Sequence, residues 1–381
     1  MPTLVALDLP GGPDFVRALQ EIWSDGDTVL PIDQRLSTQG RAVLIRAMHV
    51  GAVVDESGRT ALANGRSTEA GDALIVATSG STGEPKGVVL THDAVAASAE
   101  ATSKRLAVTA GDRWLACLPL SHVGGLSVVT RALHCDVGLT VLARFDADAV
   151  MRAARAGATL TSLVATTLSR LDPALFRRIV LGGGRPPEIV PPNAVATYGL
   201  TETGSGVVYD GVPLDGVEVE IAPDREILLR CPMMLRAYRD GSSPIDADGW
   251  LHTDDLGHWL DDGRLHVDGR RGDLIISGGE NVWPEHVETV LCGHPLVREV
   301  GVAGLDDPQW GEIVAAWVVP SDPANPPSLD SVRGFAREHL PAFMSPRAVF
   351  IVVALPRTNI GKLQRSELSS LKANGQGHRL V

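Results

Sequence analysis

Over the first two-thirds of the chain, short apolar runs alternate with amphipathic stretches. Residues 73–77 (ALIVA) form an unbroken apolar run, as in a strand buried on both faces. Residues 93–106 carry the wider apolar spacing of a helix, with Asp93 near its cap. Stretches 114–118 and 139–142 predict strands with a helix at 125–134 between them. A helix at 146–156 and strands at 159–164 and 178–181 follow. This alternation predicts a mostly parallel sheet covered on both faces. Near residue 210 the pattern changes. Residues 217–221 and 226–230 alternate with period two around Pro223-Asp224, which predicts a β-rich subdomain. Residues 246–263 read as a dense turn region leading to a strand at 264–267. The remainder predicts a compact α+β unit, with strands at 274–276, 297–302, 313–319 and 349–353 and helices at 284–292, 329–340 and 364–372. A proline-bearing surface loop is expected at 320–327, and fraying at 374–381. The expected organisation is a large α/β domain over 1–269, a hinge at 270–272 and a small mobile α+β domain over 273–381.

Composition narrows what these domains can do. A chain of 381 residues has room for two or three domains, and 44% apolar with 21% charged residues argues against wholesale disorder. The formal charge of −12 provides no field that would draw nucleic acid or an anionic membrane. An anionic ligand would have to be held by local donors. Apolar runs such as 349–355 fall well short of the ~20 residues that cross a bilayer. The N-terminus lacks a basic stretch followed by an apolar one, so no secretion signal is read there. Cys117, Cys135, Cys231 and Cys292 lie far apart without C-x-x-C spacing and read as buried thiols of a reducing compartment. A cytoplasmic protein is expected.

Directly after the run at 73–77 comes Thr78-Ser79-Gly80-Ser81-Thr82-Gly83-Glu84-Pro85-Lys86-Gly87. Glycines let backbone N–H groups approach phosphate oxygens, hydroxyls add donors, and Lys86 adds a positive charge. The spacing is not that of a Walker loop, G-x-x-x-x-G-K-[ST]. The segment resembles the signature loop of the adenylate-forming enzymes, the superfamily of acyl-CoA synthetases, peptide-synthetase adenylation domains and luciferases.

Further stretches match that superfamily in order. Tyr198-Gly199-Leu200-Thr201-Glu202-Thr203-Gly204 is similar to its central motif. The resemblance implies that Tyr198 stacks on adenine, Thr201 reaches the α-phosphate and Glu202 holds Mg²⁺ through hard oxygen ligation. Gly182, Gly183 and Gly184 resemble the loop whose bare backbone faces nucleotide and acyl group. Thr253-Asp254-Asp255 matches the T-G-D pattern, except that Asp254 stands at the usual glycine; Asp255 would accept from the ribose hydroxyls. Leu118-Pro119-Leu120-Ser121-His122 resembles the motif whose histidine borders the acyl pocket, although a lone histidine is as often structural. Ser162, Val164 and Thr166 would line the same pocket. In Gly269-Arg270-Arg271-Gly272-Asp273, Arg270 aligns with a ribose contact and Gly272 with the hinge, where relatives often carry Asp or Lys. Gly278-Gly279 would leave room for the pantetheine arm of coenzyme A. Lys362, in Pro356-Arg357-Thr358-Asn359-Ile360-Gly361-Lys362, aligns with the lysine that swings in to the adenylated carboxylate.

The resemblance covers residues ~74–372 and implies an AMP-forming acid–thiol ligase that uses ATP, Mg²⁺, coenzyme A and a small carboxylic acid. Nucleic acid and membrane insertion are not expected, and a homodimer is one open assembly. The short lead before the phosphate loop, with residues 209–217 and 161–166, is similar to actinobacterial o-succinylbenzoate–CoA ligases of menaquinone synthesis. Another fatty or aryl acid, or an adenylation enzyme loading a carrier protein, stays open as an alternative.

Overall fold

A computed structural model describes residues 1–79, 85–184, 186–187, 189–357 and 363–373. The chain forms two compact units. One comprises Met1–Glu220, Leu228–Thr253 and Trp259–Leu265; the other comprises Ile221–Ile227, Asp254–His258 and His266–Val381. The expected hinge, Arg270–Gly272, falls within the second unit, just after His266.

The first unit is built around two seven-stranded sheets. Inside the first sheet lies Leu4–Leu7, a wholly buried LVAL strand flanked by Thr28–Pro31 at the sheet's middle and by Ala52–Asp55, both parallel to it. A strand enclosed on both faces needs no polar alternation, which is why this segment reads as a bare apolar run. Helix Pro13–Ser24 opens with a proline suited to its first turn and buries Phe15, Ala18, Leu19 and Ile22 at helical spacing. Thus the N-terminal segment, which the pattern above leaves unassigned, supplies the sheet's centre. Strand Asp72–Ser79 lies parallel to Thr28–Pro31 and antiparallel to Pro85–Thr91, and Ala237–Tyr238 closes that edge.

In the second sheet, strands Gly138–Val141, Arg113–Ala116, Leu160–Leu163, Arg178–Leu181 and Ala194–Leu200 are parallel neighbours in that order. The strands and helices expected between 93 and 181 are present with ends shifted by a few residues. The cap of the helix at 92–105 is Thr91, whose side chain accepts from the Ala94 N–H, while Asp93 sits in the first turn. Asp112 joins the N-terminal ends of three strands of this sheet. It accepts from Arg177 Nε and Nη2, both at 2.8 Å, from Thr159 Oγ1 at 2.7 Å and from the Thr109 N–H at 2.9 Å.

Strands Glu218–Ile221, Glu226–Arg230, Leu251–Trp259 and Leu265–Arg270 form a small sheet whose residues are divided between the two units. Here one expectation is corrected: residues 246–263 are not all turn, because Leu251–Trp259 is a nine-residue strand. Its buried positions include Thr253 and Asp255, while His252 and Asp254 are exposed, so polarity hides the alternation.

The second unit holds a five-stranded sheet. Strand Gly311–Pro320 runs through its centre: Val314, Ala316 and Val318 face the core shared with Val287, Leu291 and Val332, whereas Ile313, Ala315, Trp317 and Val319 face a second core with Phe350 and Leu368. Strand Val297–Asp307 extends beyond the expected 302, and the expected helix at 364–372 divides into a 3₁₀ turn, Arg365–Glu367, and helix Leu368–Ala373. Residues 374–381 lie outside the described residues. The cysteine expectation is also corrected. Cys117 and Cys231 are buried, and burial pushes their thiols up to about 11, but Cys135 is half-buried and Cys292, at a helix end, is exposed. All four are free thiols. Among the described residues no helix is long and apolar enough to cross a membrane.

Burial works against the charge on Asp112, but its hydrogen bonds with Arg177, Thr109 and Thr159 prevail and lower its pKa from 3.8 to about 2. A carboxylate depressed in the folded state contributes stability above its unfolded pKa and loses it as pH falls through the folded one. Asp112→Asn should therefore lower the urea midpoint at pH 7, with the difference from the parent shrinking between pH 3.8 and about 2. A difference independent of pH across that window would contradict this.

Candidate active site

Parallel strands all end on the same edge of their sheet, and the expected site segments leave from those ends. In the second sheet, Ala116 leads toward His122, Leu163 to Val164 and Thr166, Leu181 to Gly182–Gly184, and Leu200 to Thr201 and Glu202. In the first sheet, Pro31 leads to Asp33, and Ser79 to residues 80–84. Gly80, Ser81, Thr82 and Gly83 lie outside the described residues, as does the side chain of Ser79. What brackets them is settled: Thr78 pairs with Lys86 across an antiparallel hairpin, and Thr78 Oγ1 donates to the Lys86 carbonyl at 3.4 Å.

Lys86 is exposed, and its Nζ stands 5.0 Å from the centroid of the Tyr238 ring. The Tyr238 hydroxyl donates to Glu202 Oε1 at 2.9 Å. Three elements are thereby linked: the hairpin strand Pro85–Thr91, the strand Ala237–Tyr238 paired with it, and the 3₁₀ turn Thr201–Thr203. The turn itself is closed by Thr203, whose hydroxyl accepts from the Leu200 N–H at 3.0 Å and donates to the Ser205 carbonyl at 2.8 Å. Gly204 caps it in the left-handed region, φ 65°. Tyr198 is half-buried, and a register shift lies between it and Gly199. Gly199 has a steric reason: a Cβ there would lie 2.3 Å from the Ser205 carbonyl oxygen.

Of the expected pocket residues, Val164 and Gly183 come together, since a Cβ on Gly183 would meet Val164 Cγ1 at 3.0 Å. Ser162 is buried in its strand, and Thr166 and Gly184 are exposed. His122 precedes helix Val123–His134 and makes contacts that the sequence reading missed. Its Nε2 is 3.2 Å from Arg35 Nη2 and 3.7 Å from Asp33 Oδ2. Burial opposes the charge on Asp33, but hydrogen bonds from His122 and Arg35 hold its carboxyl well below the usual carboxylate range.

Arg131 is the second miss. It lies on that same helix, 1% exposed, with one nitrogen donating to Ser205 Oγ and its guanidinium 5.7 Å from the Trp114 ring centroid. Its Nε and Nη1 are buried without a hydrogen-bond partner, and no acid pairs with it among the described residues. Burial lowers its pKa. The signal was available: Leu126–Ala132 reads LSVVTRA, a charged residue inside an apolar helix. Tyr238 had only its rarity to mark it, being one of three tyrosines.

In the second unit, buried Asp255 accepts from Arg270 Nη1 at 3.2 Å. Asp254 stands in the left-handed region, φ 57°, and its N–H donates to Glu226 Oε1 at 2.9 Å. Gly272 sits in the 3₁₀ turn Arg271–Asp273 with open space where a Cβ would go. Gly278 and Gly279, φ 62° and 84°, form the two-residue turn of a hairpin between Ile275–Ser277 and Glu280–Val282, where both positions favour glycine. A Cβ on Gly278 would also lie 2.6 Å from the Trp310 ring. Lys362 lies outside the described residues.

The model of the AMP-binding enzyme family matches residues 65–227, and that of the AMP-binding enzyme C-terminal domain matches residues 286–362. The chain belongs to this family. Among its relatives, the probable 2-succinylbenzoate–CoA ligase of Mycobacterium tuberculosis is 38% identical over 391 residues, spanning 95% of this chain and 97% of the relative. Among solved structures, the o-succinylbenzoate–CoA synthetase of Bacillus subtilis in complex with its acyl-adenylate intermediate superposes with a TM-score of 0.85 at 29% identity, covering 96% of this chain and 88% of the other. The same synthetase in complex with ATP and magnesium ion gives 0.84 at 29% identity, with 97% and 89% covered.

The left-handed backbone at Asp254 accounts for the glycine expected there. Asp tolerates this region better than most residues but still carries a cost that glycine does not. Asp254→Gly should gain about 0.5–1 kcal/mol in denaturant unfolding. A loss of stability would show that the carboxylate makes a compensating contact.

Proposed function

We propose that the chain is an ATP-dependent carboxylate–CoA ligase working through an acyl-adenylate, and that its acid is o-succinylbenzoate, in menaquinone biosynthesis. Carboxylates are poor electrophiles, so the acid first attacks the α-phosphate of ATP, forming acyl-AMP and releasing pyrophosphate. Coenzyme A sulfur then displaces AMP and forms the thioester. Two anions meet in the first step, so catalysis is mainly positioning and electrostatic stabilisation. Lys86 and the hydroxyls of Thr78, Ser79, Ser81 and Thr82 would hold the outer phosphates. Tyr198 and Gly182–Gly183 would border the base, and Asp255 with Arg270 the ribose. Lys362 would offset the charge developing between carboxylate and α-phosphate. The same reading places the enzyme in the cytoplasm and allows a homodimer.

Glu202 is the expected magnesium ligand, and the donor set suits that ion. It is one hard carboxylate, with no cluster of three His, Cys, Asp or Glu among the described residues to form a closed cage. Mg²⁺ is commonly bound through one or two carboxylates together with substrate phosphates and water. When bound it supplies positive charge to the phosphates, while Tyr238 orients the Glu202 carboxylate.

The choice of acid rests on Arg131. o-Succinylbenzoate carries two carboxylates, of which one is activated and the other stays charged. A buried guanidinium with two free nitrogens suits that second anion. A fatty or simple aryl acid would leave this cation without a counter-charge.

Pyrophosphate release with a panel of acids tests the reading. Release with o-succinylbenzoate no faster than with benzoate or octanoate would defeat it, and comparison of coenzyme A with a carrier protein separates the acceptors. Arg131→Met should weaken use of o-succinylbenzoate about 30-fold or more while sparing benzoate, since a buried charge pair is worth ~2–5 kcal/mol. The variant should be no less stable, because it removes a buried charge that no acid among the described residues pairs. Lys362→Ala should lose ~10²–10³-fold in adenylate formation yet retain thioester formation from supplied acyl-adenylate. Equal losses in both half-reactions would contradict that role for Lys362.

A further inference from the structure

Residues on either side of 358–362 are drawn together. Arg357 and Leu363 form an antiparallel bridge, and the Gln364 N–H donates to the Pro356 carbonyl at 2.9 Å. This stem carries, by chain connectivity, the segment that ends in Lys362. On one side Arg357 Nη2 donates to Glu299 Oε2 at 2.6 Å. On the other side is Arg365, whose side chain is 12% exposed and faces three acids.

Arg365 Nη2 donates to Glu285 Oε1 at 2.7 Å, and Nη1 donates to Glu288 Oε1 and to the Val302 carbonyl. Its Nε lies 3.4 Å from Asp273 Oδ2. Glu288 Oε1 also accepts from the Val302 N–H at 2.7 Å. Asp273 belongs to the 3₁₀ turn that contains Gly272, and Glu285 and Glu288 belong to helix Pro284–Leu291. One guanidinium therefore connects the lysine stem, that helix and the turn at the expected hinge. Burial pushes the Glu288 carboxyl up, and the charge and hydrogen bonds of Arg365 oppose that effect. A purely stabilising core would not require an ion cluster here, since apolar replacements of buried ion pairs are often as stable.

We infer that Arg365 is a positioning residue, which fixes the root of the Lys362 segment to the turn at Gly272 so that the two move as one body. The inference rests on the proposed adenylating function. A planar fork that engages several carboxylates sets orientation as well as charge, which a lysine cannot reproduce. Whatever rotation occurs at the hinge would then be delivered to the lysine without slack.

A double-mutant cycle tests this. Because Arg365→Ala leaves three acids without their cation, Arg365→Lys and Asp273→Asn are measured beside it. Each is first checked for an unchanged unfolding midpoint. Arg365→Lys should lower ATP–pyrophosphate exchange about tenfold, and Asp273→Asn a fewfold, while thioester formation from supplied acyl-adenylate stays near the parent. In a Lys362→Ala background neither substitution should lower adenylation further. Equal losses in both half-reactions, or effects that add in that background, would overturn the inference. A second arm needs no activity: amide exchange at Gln364, whose N–H holds the stem, should quicken in Arg365→Lys. Unchanged exchange there would also overturn it, whereas a parent enzyme inactive in both half-reactions would defeat the functional reading instead.

Discussion

Parallel pairing constrains this protein more than any other interaction. Strands that run the same way must all begin on one edge of a sheet and end on the other. Five neighbours in the second sheet obey this, and the polar segments follow their C-terminal ends. Segments far apart in sequence, around His122, Val164, Gly182 and Glu202, therefore gather on one edge. Asp112 and Arg177 tie the opposite edge. The direction of the strands thus puts the Asp112–Arg177 pair and the candidate site segments on opposite edges.

Two buried arginines show how one side chain serves different ends. Arg365 is surrounded by three carboxylates, which hydrogen-bond its two terminal nitrogens while its Nε has an acid only at 3.4 Å. Among the described residues Arg131 has an aromatic face, one hydroxyl and no acid, so its charge is supported only in part. A protein interior keeps an incompletely paired cation at a cost. In Arg131 that cost is consistent with a ligand that supplies the missing anion, and in Arg365 the acids already supply it.

Much of this was legible in the chain because the signals are local. The apolar run at 73–77, the helix at 125–134 and the apolar run at 313–319 each report their own burial. The expected site glycines stood out in the sequence, and two of them, Gly199 and Gly278, answer close contacts with Ser205 and Trp310. What escaped has a common cause. Strand Leu251–Trp259 buries Thr253 and Asp255, so its inward face does not look apolar. Tyr238 is hydrogen-bonded to Glu202, distant in sequence, and Asp33 lies beside His122. Such pairings follow from tertiary structure, and no short window of sequence contains both partners. The N-terminal segment went unread although Leu4–Leu7 and Thr28–Pro31 are interior strands of their sheet, because a four-residue apolar run gives too little periodicity to classify.

The hairpin that brackets residues 80–84 bears on the proposed binding of phosphate. Nucleotide loops that lead into a helix borrow the dipole of that helix, a partial charge built into the backbone. Here the loop joins two antiparallel strands, Asp72–Ser79 and Pro85–Thr91, so no such dipole stands behind it. The permanent positive charge is Lys86, exposed to water on its strand. Counter-ions can screen an exposed ammonium group in a way they cannot screen a hydrogen-bonded backbone. If this loop holds the phosphates as proposed, its grip depends on the ionic strength of the surroundings as well as on the loop's own backbone.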